Sequence, residues 1–115
     1  MTEKYAIVSL TDPSDHPRIY HTFLYLYDLK ENGVDAELFL DGASAKIIDE
    51  LEKNPNDIII PLYDKAVRDG LIKQACGFCA NAFKVKDKIL ETKIQMTAED
   101  GHIELVSSLK MGIEL

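Results

Sequence analysis

The stretch IKQACGFCANAF holds both cysteines of this 115-residue chain, Cys76 and Cys79. Two cysteines at this spacing can act as a sulfur nucleophile with a neighbouring thiol, as a dithiol that oxidises to a disulfide, or as half of a metal site. They can also be structural, because free cysteine often packs as a small apolar residue. The spacing alone leaves all four interpretations open.

The position of the pair favours Cys76 as the nucleophile. Residues 71–75 predict a strand, and residues 77–83 predict one or two helical turns. Cys76 then lies at the N-terminus of a helix, where free backbone N–H groups and the helix dipole stabilise a thiolate. Cys79 follows one turn later on the same side, at a spacing compatible with a disulfide. We therefore predict Cys76 as the catalytic thiol and Cys79 as a possible resolving thiol.

Thioredoxin-like and zinc-binding interpretations are less favoured. A thioredoxin motif usually follows an early strand, whereas the strand before CGFC is the third that the sequence predicts. A structural zinc site needs four ligands, and one CxxC pair supplies two. The chain has three histidines that offer further ligands, but their spacing matches no zinc motif: His16, His21 and His102. We therefore predict no metal site and no cofactor.

Strand-like and helix-like segments alternate along the chain. The predicted strands are residues 4–10, 35–40, 71–75, 93–97 and 112–115, and the longer predicted helices are residues 17–31, 43–53, 61–69 and 99–111. The sequence DIII at residues 57–60 fits either a short strand or an apolar loop. This alternation predicts a single α/β domain over residues 1–115 with a parallel sheet. Right-handed crossovers would put helices on both of its faces.

The loops that follow the strands should meet at one edge of this sheet. Ligand sites in α/β proteins gather at the carboxyl ends of parallel strands. Four residues at this predicted edge are candidates for binding a ligand or for lining the rim around the cysteines: Asp12, His16, Asp41 and His102. Each also fits a purely structural position, because aspartate is common in turns and histidine on surfaces.

Composition limits the partners and the compartment. A formal net charge of −7 disfavours direct binding to nucleic acid. No apolar run approaches the roughly 20 residues of a membrane span. The N-terminal sequence MTEKYAIVSL lacks the basic start of a signal peptide. Together with the low cysteine count, these features predict a cytoplasmic protein that does not associate with membranes.

The order of these segments resembles the DsrE/DsrF-like family, which includes TusD-type sulfurtransferase subunits and YchN-like proteins. The matching segments are a first strand with a DP-containing loop, a strand ending in FLDG, PLYDKAVRDGLIKQACGFCANAFKV and GHIELVSSLKMG. The resemblance covers nearly the whole chain and is most specific from Gly70 to Val85. It implies a three-layer α/β/α fold with a five-stranded parallel sheet. It also implies assembly into homo-oligomers, such as trimers or hexamers, or hetero-oligomers with related subunits.

The resemblance also implies a function. In sulfur-relay members, the cysteine that matches Cys76 accepts sulfur as a persulfide from a donor protein and passes it to an acceptor protein. Cys79 matches a second cysteine found in some members. The alternative is an oligomeric binding or regulatory module of the same fold, whose cysteines are structural or sense redox state. This chain departs from the family at Lys84, since members often close the cysteine helix with Gly-Val, which weakens the expected helix stop.

Overall fold

The computed structural model of the protein describes residues 4–92, 94–97 and 111–114. The strands are β1 (Lys4–Ser9), β2 (Asp35–Leu40), β3 (Ile72–Ala75), β4 (Gln95–Met96) and β5 (Met111–Glu114). The helices are α1 (His16–Glu31), α2 (Ile47–Lys53), α3 (Ile59–Arg68), α4 (Gly77–Ala82) and α5 (Lys86–Leu90), and a 3-10 turn over Gly42–Lys46 precedes α2. The predicted last helix, residues 99–111, falls outside the described residues apart from Met111, which begins β5.

The sheet is parallel, as the alternation of strands and helices predicts. Its strands pair in the order β4–β3–β2–β1–β5, and each neighbouring pair runs in the same direction. In the register, Ser9 pairs with Leu40, and Leu40 pairs with Ala75. The carboxyl ends of β1, β2 and β3 therefore lie at one edge. This confirms the predicted α/β class and the edge at which the loops meet.

Alternate residues of the strands pack into two separate clusters of buried side chains. Successive strand side chains point to opposite faces. One set, including Ile7, Leu38 and Ile72, packs in the main core with side chains of four helices: Ile19, Phe23, Leu26, Ile47, Leu51, Ile59 and Ile89. The alternate residues Ala6 and Phe39 form a separate buried cluster with Cys76. Each fully buried large side chain stabilises the fold by about 1.5–3 kcal/mol.

The start of α3 corrects the prediction for residues 57–60, because only Asp57 and Ile58 lie in a loop whereas Ile59 and Ile60 belong to the helix. Helix α3 begins at Ile59, two residues before Pro61, and the Asp57 carboxylate accepts the N–H of Ile59 at 2.9 Å. Ile59 is buried whereas Ile58 is 65% exposed. A run of apolar residues that is buried on one side only fits an amphipathic helix better than a strand buried on both faces.

The end of α4 also differs from expectation, because the helix stop forms without glycine. Lys84 adopts a left-handed backbone conformation with φ 59°. The N–H of Val85 donates to the Ala80 carbonyl at 2.9 Å, and the N–H of Lys84 donates to the Asn81 carbonyl at 3.1 Å. These two bonds are those of a Schellman helix ending, in which glycine is the usual left-handed residue.

Helix α5 has no counterpart among the predicted elements. It is five residues long and buries a single side chain, Ile89. Such a short segment does not contain enough apolar repeats to reveal a helical period. Among the described residues, no helix has the length and apolarity that a bilayer span requires.

Candidate functional site

Cys76 lies at the predicted junction between a strand and a helix. Strand β3 ends at Ala75 and α4 begins at Gly77, so Cys76 is the N-cap residue of α4 with an extended backbone. Its N–H continues the sheet by donating to the Leu40 carbonyl at 2.9 Å. Its Sγ accepts the N–H of Cys79 at 3.5 Å. This contact fixes the direction of the Cys76 sulfur at the first turn of α4.

Cys79 lies beside this sulfur, in a different environment. It is partly buried, and its thiol donates to Oδ1 of Asp41 at 3.9 Å. Burial, followed by the hydrogen bond and the charge of Cys76, raises the pKa of the Cys79 thiol to about 11. Cys79 is therefore a protonated thiol at neutral pH. The two cysteines therefore lie in different environments, with Cys76 buried and Cys79 partly exposed.

Asp41 reaches the cysteines because of a tight turn at the end of β2. Its carboxylate accepts the N–H of Gly42 at 2.8 Å and so begins the 3-10 turn. Gly42 has φ +50°, and a Cβ added there would lie 3.3 Å from Cδ2 of Leu10. Glycine adopts this conformation without strain and leaves room for Leu10. The turn thus depends on the glycine that follows Asp41 in the sequence.

The side chains of Asp41, Cys76 and Cys79 converge at the edge of the sheet. One carboxylate oxygen and both sulfurs lie within 4.8 Å of one another. The convergence follows from the register, because Leu40 pairs with Ala75 and the next residue on each chain segment is Asp41 or Cys76. From the sequence, only histidines were named as additional zinc ligands, so the Asp41 carboxylate was not included in a metal site. The pairing of two residues that each end a strand is the signal that points to it.

The residue after β4 joins the same edge. Thr97 Oγ1 accepts the N–H of Gly77 at 2.7 Å, and the N–H of Thr97 donates to the Ala75 carbonyl at 3.1 Å. These bonds hold the beginning of α4 against the end of β4. His102, which was predicted at this edge, lies outside the described residues.

Asp12 binds a lysine at the rim. Its carboxylate accepts the N–H of Ser14 at 3.0 Å and the Lys46 ammonium at 2.8 Å. The hydrogen bond from Lys46 is the main cause that lowers the pKa of Asp12 to about 2. The Lys46 ammonium also lies 4.9 Å from the centre of the Phe83 ring. Asp12 therefore ties the β1 loop to the 3-10 turn, which agrees with its interpretation as a turn residue.

His16 contacts acidic side chains of the helical layer. Its Nε2 lies 3.6 Å from a carboxylate oxygen of Glu50 and 3.6 Å from one of Asp57. Glu50 belongs to α2, and Asp57 precedes α3. These contacts join the beginning of α1 to the two following helices, so His16 has a structural position in the fold.

No protein-family model matches the chain, and neither does any curated protein or solved structure. The side chains at the edge offer two kinds of chemistry. The Cys76 thiol, whose sulfur accepts a backbone N–H, can act as a nucleophile. The neighbouring Cys79 thiol can then displace a group that is bound to the Cys76 sulfur. Two sulfurs and a carboxylate can also bind a thiophilic cation.

Proposed function

We propose that the protein is a cytoplasmic sulfur carrier of the DsrE/DsrF-like kind, which forms a persulfide on Cys76. The main supporting observation is the Cys76 sulfur at the start of α4, which accepts the Cys79 N–H at 3.5 Å beside a second thiol. The raised pKa of Cys79 supports the same choice of nucleophile.

The carrier step is an exchange of one sulfur atom. The Cys76 thiolate attacks the outer sulfur of a persulfide on a donor protein. The S–S bond of the donor breaks, the donor leaves as a thiolate, and Cys76 holds the persulfide. An acceptor thiolate removes the same sulfur by the reverse exchange, so the relay needs no external oxidant or reductant. In this role the protein is a relay component that acts as a persulfide-carrying sulfurtransferase.

Cys79 gives the persulfide a second fate. Its sulfur attacks the inner sulfur of the Cys76 persulfide, and the bond to the outer sulfur breaks. Sulfide leaves, and a Cys76–Cys79 disulfide remains, which a dithiol must reduce before another cycle. The proton of the Cys79 thiol leaves with the sulfide, and the Asp41 carboxylate, 3.9 Å from the Cys79 sulfur, orients that thiol.

The finer features of the family belong to the same proposal. They are a three-layer α/β/α arrangement around a five-stranded sheet, and assembly into homo-oligomers or into hetero-oligomers with related subunits. Light scattering on the purified protein tests the assembly. A trimer or hexamer is the expected homo-oligomer, and a monomer that stays monomeric when related subunits are added would contradict it.

The burial of Cys76 favours a second candidate function. Its side chain is only 3% exposed, which suits a structural or redox-sensing cysteine in an oligomeric binding or regulatory module. Alkylation at neutral pH separates the two functions. The sulfur carrier predicts that Cys76 reacts faster than Cys79, whereas the module predicts that Cys76 reacts slowly.

Intact mass spectrometry tests the carrier directly. The reduced protein is exposed to a low-molecular-weight persulfide, and the mass is measured without reductant. Cys79→Ser should gain one sulfur atom, wild type should gain one sulfur atom or form the Cys76–Cys79 disulfide, and Cys76→Ser should gain none. If Cys79→Ser gains no sulfur, or Cys76→Ser gains as much as Cys79→Ser, the protein does not carry sulfur on Cys76.

A further inference from the structure

The three side chains that meet at the sheet edge have the donor set of a metal site. The carboxylate of Asp41 and the sulfurs of Cys76 and Cys79 come from two structural elements that the sheet register holds side by side. We infer that these three residues bind Zn²⁺, with the fourth coordination position left for a water molecule or an external ligand.

The distances between the donor atoms fit a tetrahedral ion. Zinc binds sulfur at about 2.3 Å and carboxylate oxygen at about 2.0–2.2 Å, which puts donors of a tetrahedral site about 3.5–3.8 Å apart. Here Oδ1 of Asp41 lies 3.9 Å from the Cys79 sulfur, and each pair among the three donors lies within 4.8 Å. Closing the remaining gaps moves each donor by less than about 1 Å, which small side-chain rotations achieve.

Backbone N–H groups already orient two of the three donors. The Cys79 N–H donates to the Cys76 sulfur at 3.5 Å, and the Gly42 N–H donates to the Asp41 carboxylate at 2.8 Å. Such outer hydrogen bonds fix the direction of metal ligands and offset part of their negative charge. The nearby ammonium of Lys46 pairs with Asp12 at 2.8 Å. Lys46 is therefore engaged by the other carboxylate of the rim.

The mixture of donors selects zinc among common cations. Calcium and magnesium take oxygen ligands, so two sulfurs disfavour them. Copper(I) prefers sulfur, and the carboxylate would then be dispensable. Zinc accepts both sulfur and oxygen, and three protein ligands with an open position form a common zinc arrangement.

Zinc at this site would occupy both thiols. Metal binding and sulfur loading of Cys76 therefore exclude each other, because a ligated thiolate is not free to attack a persulfide. The inference rests on the donor geometry and does not require that the protein carries sulfur. If the protein binds the metal but takes up no sulfur, the proposed metal site is supported and the proposed sulfur-carrier function is refuted.

Cobalt(II) is the probe for the site, because it takes the same tetrahedral geometry and absorbs light. The reduced, full-length protein is titrated with Co²⁺ without oxygen. One equivalent should produce thiolate-to-cobalt absorption in the near ultraviolet and the visible bands of a tetrahedral ion. One equivalent of Zn²⁺ should then remove both.

Two rim carboxylates give a matched pair of variants. Asp41→Asn should weaken cobalt binding at least about 10-fold, because loss of a ligand costs at least as much as loss of an outer hydrogen bond. Asp12→Asn should bind like wild type, because Asp12 is already paired with Lys46. Equal affinities in the two variants would show that the carboxylate is not a ligand, as a sulfur-only site would require.

Cys76 is buried, so replacing it would disturb the packing around it. Oxidation of the wild-type protein tests the two sulfur ligands without any substitution. Oxidation of wild type to the Cys76–Cys79 disulfide removes both thiolates and should abolish the cobalt bands. Reduction should restore them. Absence of the bands in reduced wild type, their persistence in the disulfide form, or one cobalt per two chains would each overturn the proposed site.

Discussion

The loops that carry Asp12 and Asp41 follow neighbouring strands at the same edge of the sheet, but they place their carboxylates beside different groups. The Asp12 carboxylate accepts the Lys46 ammonium at 2.8 Å. The Asp41 carboxylate contacts the Gly42 N–H at 2.8 Å and the Cys79 thiol at 3.9 Å. A carboxylate paired with lysine is held as an anion by its partner, whereas one beside thiols can accept a proton or bind a metal. Two loops at one edge of the sheet thus place one carboxylate in an ion pair and the other beside the cysteines.

The largest expected effect comes from truncating a buried side chain of β2, the strand that leads to Asp41. Phe39 is fully buried two residues before Asp41, in the cluster that contains Cys76. Phe39→Ala should lower the free energy of unfolding by about 3–5 kcal/mol, because it removes a large side chain and leaves a cavity. Urea denaturation measures the loss. Phe83→Ala, at a ring that is 41% exposed, is the control and should cost much less; equal losses would show that the Phe39 cluster gives no special support.

A smaller effect separates the capping of the 3-10 turn by Asp41 from the effect of its negative charge. Asp41→Ala removes the cap of the 3-10 turn and should cost about 0.5–2 kcal/mol. Asp41→Asn keeps a side-chain oxygen that can cap the turn, so its stability should stay close to that of wild type. The same denaturation experiment compares the variants. If Asp41→Asn is as unstable as Asp41→Ala, the negative charge itself holds the turn.

Asp12 should contribute a modest stability that depends on pH. Its folded-state pKa is about 2, below the ordinary 3.8, so its contribution is present above about pH 4 and is lost as the pH falls towards 2. Because the side chain is about half exposed, solvent screening limits the contribution to about 1 kcal/mol or less. Asp12→Asn should therefore be slightly less stable than wild type at pH 7. Urea midpoints should converge near pH 2, and a difference that persists there would implicate a contact other than the ion pair.

The smallest expected effect concerns the end of the cysteine helix. Gly33 and Gly70 take positive φ angles where α1 and α3 end, whereas α4 uses Lys84 for the same kind of ending. Lys84→Gly should relieve the left-handed strain and raise stability by up to about 1 kcal/mol, partly offset by the greater freedom of glycine in the unfolded chain. Thermal unfolding measures the gain. Lys84→Ala keeps the strain and should give no gain; a gain as large as that of glycine would show that strain is not the cause.

The sequence predicts the Cys76 junction well, because a strand-forming segment changes into a helical one at that residue. It predicts that Asp41 lies at the same edge, but the contact with Cys79 requires the register between Leu40 and Ala75. The contacts of His16 with Glu50 and Asp57 depend on how three helices pack, which local patterns do not encode. The start of α3 was missed because three consecutive isoleucines fit a strand as well as a helix.

The most direct test of the central claim is to locate the added sulfur. After treatment of the reduced protein with a low-molecular-weight persulfide, iodoacetamide traps the modified cysteine, and tandem mass spectrometry of its peptide identifies the position. The expected result is an extra sulfur on Cys76 with Cys79 unmodified, or, where Cys79 has displaced that sulfur as sulfide, a Cys76–Cys79 disulfide with no added sulfur. An extra sulfur found on Cys79, with Cys76 unmodified, would contradict it.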